Sequence, residues 1–158
     1  MKRKSLLFFT QGAMIAALYA ALTLVASALG LSSGVIQLRF SEALCILPIF
    51  LPSSIWGLTL GCLLSNLLSG ALLWDVVIGS LATLLGAVGT YALRKKPVLA
   101  FLPPVLANTL LIPPLLYFVY GFQDGGIAFL FFTVFCGEAI SVWLFGALLY
   151  RGAKRIFK

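Results

Sequence analysis

The stretch Ile36-Gln37-Leu38-Arg39-Phe40-Ser41-Glu42-Ala43-Leu44 sets a cation and an anion three residues apart at the edge of a long apolar run. At that spacing Arg39 and Glu42 can face each other on one turn of helix. The surrounding chain is 62% hydrophobic and only 9% charged, so the pair needs a reason. One reading is a surface ion pair at a membrane boundary, of little energetic weight. The other is the rim of a binding site, and the rest of the chain bears on the choice.

Outward from that stretch the apolar runs are long and unbroken. Soluble domains carry about 25% charged residues, and a membrane barrel shows ~10-residue segments of alternating polarity. Neither pattern is present. The fold class is therefore an all-α integral membrane protein. A single transmembrane domain, residues 1–158, is expected to hold six helices at 6–29, 41–51, 55–73, 76–93, 98–120 and 127–150. The second is too short for a plain span. Eleven α-helical residues rise ~16 Å, against a hydrocarbon core of ~30 Å. Either it begins earlier, with Arg39 and Glu42 in its outer turns, or it is short and kinked at Pro48. Both versions put Glu42 near the outer edge.

The charge map gives the orientation. The net charge is +7. Lys2, Arg3 and Lys4 open the chain, Arg94, Lys95 and Lys96 lie in its middle, and Arg151, Lys154, Arg155 and Lys158 close it. Cytoplasmic loops are enriched in Lys and Arg, so all three clusters and both termini are expected inside. Arg39 is then the lone basic residue outside. Topology accounts for the basic charge, and no soluble domain offers a nucleic-acid patch. Ala26-Ser27-Ala28 resembles a signal-peptide cleavage site, but the apolar run before it is too long for one. It reads as the first membrane helix.

Several local signals follow. The first helix has small residues at every fourth place: Gly12, Ala16 and Ala20 in one row, Ala13, Ala17 and Ala21 in the next. Such rows allow close backbone approach in lipid, either inside the bundle or against another membrane protein. Gly57, Gly61, Ser65 and Ser69 form a small stripe on the third helix. Gly30–Gly34 and Gly121–Gly126, with Asp124, read as outer loops. Asp75 reads as the N-cap of the fourth helix. Pro103-Pro104 and Pro113-Pro114 should kink the fifth. No internal repeat points to an inverted-repeat transporter.

The chemistry on offer is recognition. Glu138 lies near the middle of the last span, where a charge costs ~2.5–3.5 kcal/mol on insertion scales. Its bland reading is a protonated carboxyl bonded within the bundle. Asn66 and Asn108 are also deep, and their bland reading is interhelical glue. Together Arg39, Glu42, Asn66, Asn108 and Glu138 read better as one outward-facing pocket. Carboxylates accept from N–H groups or pair with an amine, and an Asn amide both donates and accepts. The set suits a flat nitrogen heterocycle, with Trp56, Trp74 or Tyr117 to stack on it. Catalysis is not indicated. The chain has no His, and Cys45, Cys62 and Cys136 form no C-x-x-C. There is no metal cluster, nucleophile elbow or phosphate loop, so the chain is read as a non-enzyme without a cofactor of its own.

The sequence resembles the queuosine-precursor transporter family (QueT), substrate-binding S components of energy-coupling factor (ECF) transporters. The resemblance rests on Tyr19-Ala20-Ala21-Leu22-Thr23, on the 36–44 stretch and on Gly57-Leu58-Thr59-Leu60-Gly61-Cys62 followed by Asn66. It continues in Asp75-Val76-Val77-Ile78-Gly79-Ser80-Leu81-Ala82-Thr83, Leu102-Pro103-Pro104-Val105 with Asn108, and Gly137-Glu138. Pro113-Pro114 departs from the family pattern. The resemblance implies a six-helix bundle binding a 7-deazaguanine-type precursor near the outer face, beneath closing loops. It implies docking of the first helix, through Gly12, Ala13, Ala16, Ala17, Ala20 and Ala21, on a transmembrane coupling subunit. Two cytoplasmic ATPases would use the ATP. Two other readings remain: an S component for another small vitamin, and a non-transport scaffold or channel whose polar groups are glue.

Overall fold

The computed structural model describes residues 2–31, 38–123 and 125–157. Ser32–Gly34 of the expected outer loop, Ile36 and Gln37 of the opening stretch, and Asp124 lie outside the described residues. Among the described residues the chain is all-helical. The elements are α1 (Lys2–Ala28), α2 (Phe40–Ile49), α3 (Ser54–Leu68), α4 (Leu73–Ala92), α5 (Leu99–Phe118) and α6 (Gly126–Ile156). By length and composition α1, α4, α5 and α6 can each cross a membrane, whereas α2 and α3 are shorter apolar helices. Leu6, Met14, Leu73, Val98 and Phe118 all face outward. Apolar exposure on that scale is foreign to a soluble monomer and fits a lipid surround.

The short helix is the organising element. α2 is a 3-10 helix of 10 residues. At ~2.0 Å per residue it reaches about 20 Å, further than an α-helix of that length. Every side chain from Ser41 to Pro48 is buried. α1, α3, α4, the first turn of α5 and α6 all pack against it. Its Leu44, Cys45, Ile46 and Leu47 meet Tyr19, Leu58, Ala87, Val105 and Val142 in the main core. A smaller cluster of Ile112, Leu116, Leu130 and Val134 joins α5 to α6. Of the two versions open in the sequence, the short helix forms, with Arg39 as the extended residue just before it.

Helix ends follow local chemistry. α3 stops at Leu68 because Gly70 adopts φ 69°, and Ala71 N–H closes back on the Asn66 carbonyl at 3.0 Å. That left-handed glycine ends the helix before the expected residue 73. Asp75 is not the N-cap of α4. The extended residue before the helix is Leu72, and Asp75 sits inside the first turn, where its charge suits the helix dipole. Pro103 and Pro104 occupy the first α-turn of α5, where missing donors cost little. α4 accommodates them with glycines: a Cβ on Gly86 would lie 2.8 Å from Pro104 Cα, and one on Gly89 2.5 Å from Pro103 Cβ. The helix continues through Pro113 and Pro114 to Phe118. α6 turns from α to π geometry at Ile140–Phe145, then back to α through the basic tail.

The two small rows of α1 face different ways. A Cβ on Gly57 would come within 2.5 Å of the Gly12 carbonyl oxygen, and one on Gly61 within 2.8 Å of that of Ala16. The Trp56 indole covers Gly12 so closely that no Cβ fits there. Gly12 and Ala16 are therefore buried in the α1–α3 seam and Ala20 is half-buried, so that row is not a free docking face. Ala13, Ala17 and Ala21 are exposed beside Met14, Leu18 and Val25. Internal packing takes one row and leaves the other uncovered.

Candidate functional site

The polar groups converge where α2, α5, α6 and α1 meet. Three residues per turn make side chains at i and i+3 eclipse. Glu42 and Cys45 therefore line up on α2, and the Cys45 thiol donates to Glu42 Oε2 at 3.1 Å. The Tyr19 hydroxyl of α1 donates to Glu42 Oε1. From α5, the Asn108 amide reaches both acids: Nδ2 lies 3.5 Å from Glu42 Oε2 and 3.2 Å from Glu138 Oε2. Glu42, Asn108 and Glu138 are all buried. Beside them, Thr23 Oγ1 donates to Ser41 Oγ at 2.8 Å, tying α1 to the start of α2.

Two carboxylates on one amide repel each other, and removing either charge from water costs several kcal/mol. Three donors and one cation offset that cost. The cation is Arg39, half-buried and close enough for Glu42, Glu138 and Asp75 to feel its charge. Arg39 thus links the deep acids to the end of the bundle where α4 begins. There the Tyr120 hydroxyl, just beyond α5, donates to Asp75 Oδ2. Partial burial, and then the Asp75 carboxylate, push the Tyr120 phenol above its ordinary value, so it stays a donor through neutral pH.

Asn66 has a different role. Its Nδ2 donates to the Asp75 backbone carbonyl at 3.1 Å, across the α3–α4 seam. It also contacts the Cys62 thiol, which packs with Tyr19 in the main core. Asn66 therefore reaches the acid cluster only through intermediaries. Of the expected stacking aromatics, Trp56 is used on Gly12 and Phe9 at the far end of α3. Trp74 is exposed, and Tyr117 packs edge-on to Phe118. Among the described residues, the aromatic side chain that hydrogen-bonds to the site is Tyr19.

Comparison with known proteins identifies the group to which this chain belongs. The profile of the family described as "QueT transporter" matches residues 9–155. The chain belongs to the QueT transporter family. It is thus a multi-pass membrane protein of a transporter family, not an enzyme. The "Queuosine precursor transporter QueT" of Lactococcus lactis subsp. cremoris (strain MG1363) is 42% identical over 73 residues, which is 46% of this chain and 42% of that protein. The chain thus matches less than half the length of that curated relative. No solved structure matches.

For this QueT-family chain, sequence reasoning singled out both acids and the amide that joins them. It passed over Tyr19 and Cys45, because a tyrosine or cysteine in an apolar run looks like filler. Tyr19 stands in a quoted stretch, and Cys45, three residues after Glu42, shares its helix face at the same spacing as Arg39 and Glu42. Ser141, three residues after Glu138 and within the π segment, was also missed. Its buried hydroxyl has no hydrogen-bond partner among the described residues.

Proposed function

We propose that this chain is the substrate-binding S component of an ECF-type importer for a queuosine precursor, a 7-deazaguanine-type base. The observation that carries the reading is the buried Glu42–Asn108–Glu138 cluster. An amino-pyrimidinone edge presents a ring N–H and an exocyclic amine side by side, and a carboxylate accepts such a pair of donors. A second carboxylate 3.2 Å from the same amide can take a further donor, such as the amine of an aminomethyl substituent. The Asn108 amide would hold the two acids apart, and the buried Ser141 hydroxyl, three residues on from Glu138, has no hydrogen-bond partner among the described residues. Arg39 would order Glu42 and the outer end of the site. The relative's printed name is in keeping with that substrate class.

In this reading both termini are cytoplasmic and the site opens outward. The exposed Ala13/Ala17/Ala21 row docks on a coupling subunit, and partner ATPases supply the energy. The direct test is equilibrium binding of radiolabelled 7-deazaguanine to the purified protein. Saturable binding at or below micromolar ligand, lost in Glu138→Gln, is expected. Absence of saturable binding at micromolar ligand would sink the substrate claim. Competition with riboflavin separates this base from an unrelated vitamin.

A further inference from the structure

A second site lies at the other end of the bundle, between the start of α5 and the π segment of α6. It is a groove of about 370 Å³ lined by Val98, Leu99, Phe101, Leu102, Trp143 and Ala147. Its walls are wholly apolar side chains, and Val98, Leu99 and Trp143 are exposed along it. The groove exists because Ala147 is small and stands one turn after Trp143. Trp143 lies in the π segment Ile140–Phe145 and is exposed.

What frames the groove names its occupant. In the α-helical stretch Gly146–Ile156, Arg151 follows Ala147 at i+4, so it stands on the same face about one turn further along. α6 is helical through Ile156, and Arg151 and Lys154 are exposed. On the other wall, Lys95 and Lys96 are exposed in the turn leading into α5. The Lys96 carbonyl accepts from Leu99 N–H at 3.0 Å and Ala100 N–H at 3.1 Å, which anchors that turn beside the groove. No acidic residue lies between 76 and 123 or between 139 and 158. An apolar slot with exposed bases on both of the elements that wall it has the chemistry of a phospholipid: an acyl chain in the slot and an anionic head group among the bases.

We propose that this groove is a binding site for one anionic phospholipid, its acyl chain against Trp143 and Ala147 and its phosphate held by Arg151, Lys95 and Lys96. General surface attraction would gather anionic lipid around the tail without seating a chain at Trp143. The groove-bound lipid instead places a particular chain against a particular indole.

That difference sets the test. The full chain is reconstituted in phosphatidylcholine bilayers containing a minor fraction of lipid brominated on its acyl chains. Brominated phosphatidylglycerol is compared with brominated phosphatidylcholine at equal mole fraction, by tryptophan fluorescence. Stronger quenching by the glycerol lipid is expected, and Trp143→Phe should remove the difference. Replacing Lys95, Lys96 and Arg151 together by Gln should lower the preference by about fivefold for each base that contacts the head group. Ala147→Phe fills the groove while keeping every charge, and should abolish the preference by itself. Lys95→Gln with Lys96→Gln, in an exposed turn, gives a variant that leaves helix packing untouched. Equal quenching by the two lipids in the unaltered protein overturns the proposal. So does a preference that survives Ala147→Phe, which would mean surface attraction alone.

Discussion

Asn66 and Asn108 are the same side chain, both buried in apolar helices, in two regions that use it differently. At the α3–α4 seam Asn66 donates to a backbone carbonyl, that of Asp75. At the α2–α5–α6 junction Asn108 donates to two carboxylates. A backbone carbonyl is fixed in place, so the first bond holds two helices together. A carboxylate can exchange one donor for another, so the second bond can yield to a ligand. What separates glue from recognition is the mobility of the acceptor, not the residue or its depth.

The α1–α3 seam is the extreme of the first kind, and there the largest effect is expected. Gly57→Leu drives a side chain into the Gly12 backbone, so no folded protein should be recovered from membranes. Near-normal yield and thermal stability for that variant would refute the close seam. Next in size, Asn108→Leu should weaken binding of the deazaguanine base by about 100-fold, because without the amide between them the two acids are no longer held apart as separate acceptors. Calorimetry on the purified variant reads this directly. Asn66→Ala should cost about 1 kcal/mol of stability and change affinity by less than about threefold. If it matched Asn108→Leu in binding, the contrast between the two asparagines would collapse. Smallest is Tyr120→Phe, which removes an exposed bond worth about 0.5–1 kcal/mol. It should speed ligand release a few-fold in a stopped-flow displacement assay and lower the melting temperature by no more than about 4 °C. The outward row gives a separate check: Ala17→Leu should abolish uptake by cells while sparing ligand binding, and parallel loss of both would place that row inside the bundle.

The sequence made the helical membrane class plain, because hydropathy and the absence of alternation need no tertiary knowledge. It also pointed to Glu42, Asn108 and Glu138, since a polar group deep in an apolar run requires a partner. It could not say which row of α1 is covered. A small-residue spacing shows that a backbone can approach, while the partner is chosen by Gly57, Gly61 and Trp56 far along the chain. Helix type was equally hidden. Nothing in Phe40–Ile49 distinguishes a 3-10 helix from a kinked α-helix; Glu42 and Cys45 share a face in either, and the three-residue turn brings them into line. Asp75 resembled a cap because the true boundary residue, Leu72, adopts its extended backbone without any capping side chain.

The Gly12/Gly57 and Ala16/Gly61 contacts carry a mechanical implication. Where main chain rests on main chain, no flexible side chain stands between the helices to absorb displacement. α1 and α3 therefore form one stiff plate, with Ala17 on its outer surface and Asn66 on its inner edge. That plate is tied through Asn66 to the backbone of Asp75, whose carboxylate accepts from the phenol of Tyr120.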